Sequence, residues 1–186
     1  MLLMHTPVKL LATFVFLWMN AGVAHAASSM EPILLKYGVT NFTFDDVVLS
    51  VVKARRENYN AHSYDFYTFY QVSKNDPTWQ VATLELQKDK PEADSFKTVE
   101  GADCILADLT LYMIKKRPVL IVATRAGGYA EQKPVKMVRL EWQTNREQIP
   151  GFASSSFSMR SETTTRRGYC SVREAVRTEG AGLFLD

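Results

Sequence analysis

Residues 63–73 read SYDFYTFYQVS, and this stretch decides the fold class because its side chains alternate with a period of two. On an extended strand, successive side chains point to opposite faces. One face would carry Tyr64, Phe66, Thr68, Tyr70 and Val72. The other would carry the residues between them, including Asp65, Tyr67, Phe69 and Gln71. Both faces are largely apolar, which predicts a strand covered on both sides. A central strand, an oligomer interface or a ligand groove would provide that cover.

Stretches of similar character surround this strand. WQVATLELQ (79–87) follows KNDPT (74–78), whose Asp76-Pro77 pair is a turn signal, so the two strands predict an antiparallel hairpin. Short strands between turn residues indicate one all-β, mostly antiparallel domain, a sandwich or a barrel. SVREAVRTEG (171–180) predicts a short C-terminal helix, with Ser171 as its cap and Gly180 at its end. The other strand candidates are DDVVLSVVKA (45–54), DCILADLTLYMI (103–114), RPVLIVATR (117–125), VKMVRLEWQT (135–144) and SSFSMRSETTT (155–165).

The first 26 residues have the features of a secretory signal peptide. Lys9 is the only formal charge before Glu31, and an apolar run covers residues 10–19. That run is shorter than the roughly 20 apolar residues of a membrane span. Residues 24–26, Ala-His-Ala, offer a cleavage site. We therefore expect cleavage after Ala26 and a single exported β domain over residues 27–186, located in the periplasm. A short membrane anchor is the alternative.

Charge and hydropathy restrict the partners. The chain carries a formal net charge of +2, and its basic doublets Arg55-Arg56, Lys115-Lys116 and Arg166-Arg167 are scattered and offset by acids. Nucleic-acid-binding proteins usually concentrate basic residues on one face, so we expect no nucleic-acid partner. Beyond the N-terminal run, no stretch is apolar enough to span a bilayer. The mature protein is therefore predicted to be soluble rather than membrane-embedded.

The chain has two cysteines, Cys104 and Cys170. In an oxidising compartment an even count favours a disulfide, so we expect the two to pair. Two buried free thiols or a catalytic thiol are the alternatives. A catalytic thiol needs a histidine, and His62 is the one histidine after residue 26.

No catalytic motif survives inspection of its geometry. SVVK (50–53) matches the S-x-x-K pattern of penicillin-interacting enzymes, whose serine and lysine must lie on the same side of a helix. Here a valine-rich strand would place Ser50 and Lys53 on opposite faces. A single mature histidine supports neither a Ser-His-Asp triad nor a zinc centre. We therefore predict no catalytic residues and a protein that is not an enzyme.

A divalent-metal site is the one cofactor site that the sequence suggests. NFTFDD places Asn41, Asp45 and Asp46 just before a strand, and calcium prefers such carboxylate and amide oxygens. Two carboxylates and one amide make a thin ligand set, and the aspartates could simply form a turn.

Three stretches, taken together, carry a family resemblance. RRENYNAHSYDFYTFYQV (55–72), GADCILADL (101–109) and RRGYCSVREA (166–175) occur in this order in a chain that begins with an export signal. Such a chain resembles the carbapenem intrinsic-resistance (CarG-like) family of periplasmic proteins. The resemblance implies an antiparallel β protein that protects against a β-lactam without an established hydrolytic mechanism, and it makes self-association plausible. It also implies a disulfide between Cys104 and Cys170.

The same resemblance selects candidate site residues. Its characteristic polar run contains Arg56, Glu57, Asn58, Asn60 and His62, which would either bind a ligand or hold a loop by hydrogen bonds. YGVTNFTFDDVVLSVV (37–52) also resembles a calcium loop of the FG-GAP type, although Thr43 and Phe44 stand where Asp and Gly are expected.

Three functions are compatible with the sequence. The leading hypothesis is a non-enzymatic periplasmic protein that binds a carbapenem-like β-lactam or shields its target. The second is a structural or interaction module of the envelope, with an aromatic contact face around Tyr67 and Phe69. Separately, the aromatic surface of residues 64–73 predicts a homodimer with this sheet near or under its interface. The third is a hydrolase with an unrecognised site.

Overall fold

A computed structural model of the chain describes residues 31–184, except residues 61, 74–75, 89, 102 and 129. The expected signal peptide therefore lies outside the described residues. Among the helices of the described part, none is both long and apolar enough to cross a membrane.

The described residues form strands almost throughout, with helical structure at the C-terminal end, which confirms the predicted fold class. The elements are β1 (Gly38–Phe44), β2 (Val47–Arg56), β3 (Tyr64–Ser73), β4 (Asp76–Leu84), β5 (Ser95–Lys97), β6 (Val99–Glu100), β7 (Ile105–Ile114), β8 (Arg117–Arg125), β9 (Val135–Thr144), β10 (Ser155–Thr164), α1 (Val172–Glu179) and a 3-10 helix (Gly180–Phe184).

The strands belong to one ten-stranded sheet with the order β1-β2-β3-β4-β10-β9-β8-β7-β6, and β5 pairs with β3 beside this path. Neighbouring strands are antiparallel except β4 and β10, which run parallel and divide the sheet into a first half (β1–β5) and a second half (β6–β10). The sheet curls into a half-barrel, so the inner faces of its two halves pack against each other.

The predicted hairpin between β3 and β4 is confirmed, but the Asp76-Pro77 pair read as its turn signal lies in a strand. Asp76 and Pro77 belong to β4, and Asp76 pairs with Ser73. Proline is tolerated near the start of a strand, where the absence of an N–H need not interrupt the ladder. The turn signal therefore marked the beginning of a strand.

The main core lies between the two halves of the sheet. Leu49 and Phe69 of the first half and Leu111 and Phe157 of the second are completely buried in it. The ring of Phe157 packs edge-on against those of Phe69 and Trp142, with centroids 5.3 Å and 5.2 Å away. Contacts between residues far apart in sequence therefore hold the two halves of the curled sheet together.

A second core lies on the outer face of β7–β9, where α1 covers the sheet. The cap residue Ser171 accepts a hydrogen bond from the backbone N–H of Arg173, as the predicted helix start requires. Strands covered on both faces lose the apolar–polar alternation, which explains the nearly continuous apolar runs in β7 and β8. The helix contributes Val172, Ala175 and Val176, and the sheet contributes Ile121, Ala123, Val135 and Met137.

The predicted aromatic contact face around Tyr67 and Phe69 is wrong. Their exposed fractions are 4% and 0%, because this face of β3 points into the main core. β3 lies between β2 and β4, so the interpretation as a central strand holds. Phe66, on the opposite face, is exposed instead.

Cys104 and Cys170 form a disulfide in the structure, with Cα atoms 5.0 Å apart. Cys104 directly precedes β7, and Cys170 lies just before the cap of α1. The disulfide therefore fixes the start of α1 to the start of β7, the strand next to the edge strand β6.

Candidate functional site

A cleft of about 470 Å³ opens at one end of the main core, where residues 32–37 lie near β2, β3, β7 and α1. Its volume falls within the roughly 300–1,000 Å³ of typical small-molecule sites. One part of its wall is apolar, with Ile33, Leu35, Leu109 and Leu111, and the other is charged. The charged and aromatic residues of the cleft are Tyr37, Lys53, Arg55, Asp65, Tyr67, Glu100, Asp108 and Arg173.

Asp65 is the centre of the charged wall. Its carboxylate accepts hydrogen bonds from Lys53 Nζ at 3.0 Å, Arg55 Nη1 at 3.2 Å and the hydroxyl of Tyr37 at 2.9 Å. Its backbone N–H donates to the hydroxyl oxygen of Thr98 at 2.8 Å. The side chain is 3% exposed, so this carboxylate is buried and fully engaged.

The pairing of β2 with β3 brings these groups together. Arg55 lies opposite Asp65, and Lys53 lies opposite Tyr67, so all four side chains share the inner face of the sheet. Earlier in β2 the same face carries Leu49, which lies in the main core. One face of a strand therefore changes from apolar to charged where it leaves the core and reaches the cleft.

Aromatic rings also hold the Lys53 ammonium. Its nitrogen lies 4.7 Å from the ring centroid of Tyr37 and 5.4 Å from that of Tyr67, within the range of cation–π attraction. Burial alone would lower the pKa of Lys53, but hydrogen bonds to Asp65 and Tyr67 outweigh it and raise the pKa. Burial alone would raise the pKa of Asp65, but the bonds from Lys53 and Tyr37 hold it below its usual value. Both groups are therefore charged at neutral pH.

We expect Asp65→Asn to lower the free energy of unfolding at pH 7 by about 2 kcal/mol, since hydrogen bonds to charged groups contribute roughly 1.5–3 kcal/mol. Because folding lowers the pKa of Asp65, its contribution is complete above the unfolded pKa of about 3.9 and is lost as the pH falls through the folded value. Urea unfolding at pH 7 and pH 3 should show a smaller difference from wild type at pH 3. The exposed Asp94→Asn is the control, and an equal difference at both pH values would contradict this role of Asp65.

Asp108 and Arg173 form a second charged pair, on the β7 side of the cleft. Asp108 accepts a hydrogen bond from Arg173 Nε and another from the backbone N–H of Leu109 at 2.8 Å. Its side chain is 8% exposed, whereas that of Arg173 is 50% exposed. Burial raises the pKa of Asp108, although the positive charge of Arg173 opposes this.

Arg56 ends β2, and the other described residues of the polar run, Glu57, Asn58, Asn60 and His62, lie in the loop to β3 and hydrogen-bond largely within that loop. Glu57 accepts from the backbone N–H of Tyr59 at 2.8 Å and from the Ser63 hydroxyl. The Asn58 side chain donates to the His62 carbonyl, and the Asn60 side chain accepts from the His62 N–H, both at 2.9 Å. These hydrogen bonds fit the loop-holding role, and ligand binding by this run stays a prediction. Arg56 Nη1 lies 3.5 Å from the Tyr64 hydroxyl oxygen.

The residues of the suggested calcium site are distributed over a β-hairpin. Asn41 lies within β1, opposite Ser50, whereas Asp45 and Asp46 form the two-residue turn to β2. Asp45 adopts φ 49°, which aspartate tolerates in turns, and its carboxylate pairs with Arg117 at 3.1 Å. Nowhere in the described part of the chain do three or more His, Cys, Asp or Glu side chains form a group that could hold a metal. The sequence that resembles a calcium loop is therefore a strand and a turn, because Gly38–Phe44 pairs with β2 along its length.

The S-x-x-K match lies on β2, as predicted. Ser50 and Lys53 are three residues apart on a strand and so point to opposite faces. The Lys53 ammonium is engaged by Asp65 on the inner face. The lysine that would activate the serine is thus directed to another partner.

Sequence reasoning missed the charged wall of the cleft. In the sequence Lys53 stands out only as the motif partner of Ser50, and Asp65 shares the predicted Tyr67 face of its strand, a carboxylate among aromatic residues. That carboxylate, and Asp108 within the apolar run of β7, were the available signals, because a buried charge requires a partner.

The fold resembles that of a protein of known structure. The crystal structure of CarG matches this chain with a TM-score of 0.68, covering 80% of this chain and 95% of CarG, at 22% sequence identity. At that identity the likeness establishes a CarG-like fold. A scan with models of known protein families finds no match, and neither does a search of curated proteins.

Proposed function

We propose that this chain is an exported, non-enzymatic protein that protects against a carbapenem-like β-lactam by binding it in the cleft between β2, β3, β7 and α1. The observation that carries the proposal is the cleft itself. It combines a volume suited to a small molecule, an apolar wall and a wall of paired charges. The CarG-like fold and the three resembling stretches of sequence suggest the class of ligand.

The position of the candidate nucleophile supports binding rather than hydrolysis. Acylation requires a serine that an adjacent base activates. Ser50 is 2% exposed and points away from Lys53, whose ammonium bonds Asp65. A β-lactam in the cleft would meet charged groups that orient it, and Ser50 would lie on the other side of the sheet.

Protection of living cells tests the proposal. A susceptible strain that exports the protein should survive a higher carbapenem concentration than the same strain with an empty vector. A chain that lacks residues 2–26 should give no protection, because the expected signal peptide is missing. Equal survival with the exported protein and the empty vector would contradict the proposal.

A second candidate function is self-association through the outer face of the first half-sheet. The outer aromatic patch, formed by Phe66, Tyr70, Trp79 and Val81, has exposed fractions of 37% at Phe66, 49% at Trp79 and 40% at Val81. The rings of Tyr70 and Trp79 lie 5.4 Å apart. Sedimentation of the wild type and of Trp79→Ser decides whether this patch joins two copies, since a dimer held by it should weaken in the variant.

A further inference from the structure

We propose that Arg173 is the anion-binding group of the cleft and that it takes a carboxylate of the ligand through its two terminal nitrogens. The assignment rests on the position of the Arg173 guanidinium. It is half-exposed, bonds the buried Asp108 on one side and lies at the edge of a partly apolar cleft. The inference rests on the proposed function for its class of ligand, a small molecule with a free carboxylate.

Among the described residues three cations line the cleft, and in two of them, Lys53 and Arg55, the terminal nitrogens already bond carboxylates of the protein. Arg55 uses Nε for Glu57, Nη1 for Asp65 and Nη2 for Glu100, at 3.2–3.4 Å. Lys53 bonds Asp65, lies against two tyrosine rings and is 15% exposed. A carboxylate that approached either group would have to displace a carboxylate of the protein itself.

Arg173 differs from both in the direction of its bonds. Its Nε donates to Asp108, and within the described part of the chain Nη1 and Nη2 have no hydrogen-bond acceptor. The fork formed by these two nitrogens matches the two oxygens of a carboxylate, which can accept two parallel hydrogen bonds. Half of the side chain is exposed, so an anion can reach this edge.

Two links hold this guanidinium in place before a ligand arrives. The Cys104–Cys170 disulfide and the Asp108–Arg173 pair both join the start of β7 to the start of α1. A group held in its binding geometry loses little conformational entropy when the ligand binds. Asp108 is therefore a positioning residue for Arg173.

The rest of the cleft selects a compact, partly apolar body behind the carboxylate. Leu109 and Leu111 follow Asp108 along β7, Ile33 lies beside Leu111, to which its backbone is bridged, and Leu35 adds to the same lining. A carbapenem and a peptide that ends in a free carboxylate share this chemistry. The probes must therefore include both sources.

Calorimetric titration of the purified, exported protein tests the inference with two pairs of probes. One pair is a carbapenem and its methyl ester, and the other is N-acetyl-D-alanyl-D-alanine and its C-terminal amide. We expect at least one free acid to bind, and its capped form to bind about tenfold or more weakly, because capping removes the charge-assisted pair of hydrogen bonds. Arg173→Gln should lose a similar factor for the free acid and little for the capped form.

Arg177→Gln, an exposed arginine of the same helix, is the matched control and should bind as the wild type does. Arg173→Lys keeps the charge and loses the fork, so its affinity should lie between those of the wild type and Arg173→Gln. Thermal unfolding of each variant verifies the fold. If Arg173→Gln does not fold, the affinities of Arg173→Lys and of the capped probes decide whether Arg173 binds the carboxylate.

The inference and the proposed function can fail separately. Binding of the dipeptide alone, lost in Arg173→Gln, would support the anion site and contradict the β-lactam as ligand. Carbapenem binding that is equal in the wild type and Arg173→Gln would support the proposed function and overturn the role of Arg173. No binding of either free acid would overturn both.

Discussion

Replacing both Cys104 and Cys170 by alanine should lower the free energy of unfolding by about 4 kcal/mol, because the bond closes a long loop in the unfolded chain. The cysteines are 66 residues apart in sequence, and the entropy that a crosslink removes from the unfolded chain grows with loop length. For a domain of this size we expect the melting temperature to fall by roughly 10 °C. Urea unfolding and calorimetry of the variant measure both quantities.

Chemical reduction of the wild type is the control for this prediction. Reduced protein and the double variant should unfold at the same denaturant concentration, since both lack the same crosslink. The double variant should also bind a carboxylate ligand more weakly, because the start of α1 loses one of its two links to β7. Two thiols that react freely with an alkylating reagent in native protein from an oxidising compartment would contradict the disulfide.

Phe157→Ala should destabilise the protein by about 4 kcal/mol, within the range of roughly 3–5 kcal/mol for loss of a buried phenylalanine. Phe157 is completely buried and packs against Phe69 of the first half-sheet and Trp142 of the second. It lies on β10, where the parallel pairing with β4 joins the two halves. Loss of this ring leaves a cavity where the curled sheet closes, and the backbone on both sides is held by strand pairing.

The exposed Phe152 is the matched control, because Phe152→Ala removes the same atoms from a side chain that is 67% exposed. Its effect should stay within about 0.5 kcal/mol. Phe157→Leu should fall between the two, since it refills part of the cavity. A Phe157→Ala variant within about 1 kcal/mol of the wild type would show that the main core can collapse around the gap.

The strands of the second half-sheet could be predicted closely from the sequence. The observed bounds of β8 and β9 are the predicted ones, because Gly, Pro and charged turn residues flank two stretches rich in apolar residues. β1 was missed, since its outward residues Asn41 and Thr43 are polar and exposed and resemble metal ligands more than strand residues. Its identity as a strand comes from pairing with β2, which local sequence does not show.

The cleft could not be predicted, because its charged residues come from distant parts of the chain. Asp65 and Arg55 become neighbours only through the register of β2 and β3, and the intervening loop gives no rule that fixes this register. Asp108 and Arg173 meet only after α1 folds back on β7. The polar run from Glu57 to His62 is conspicuous in the sequence, but the described residues of that run hydrogen-bond within their own loop and do not line the cleft.

Titration of the exported protein with a carbapenem, with the heat of binding and the absorbance of the β-lactam ring followed in one experiment, tests most directly whether the protein binds without hydrolysis. We predict saturable binding at one site per chain and ring absorbance that stays constant over many hours, because the buried Ser50 has no activating lysine on its side of the sheet. Multiple turnovers of the β-lactam that vanish in Ser50→Ala would show that Ser50 is a catalytic nucleophile. That result would contradict the argument that its place on β2 prevents catalysis, and it would contradict binding without hydrolysis.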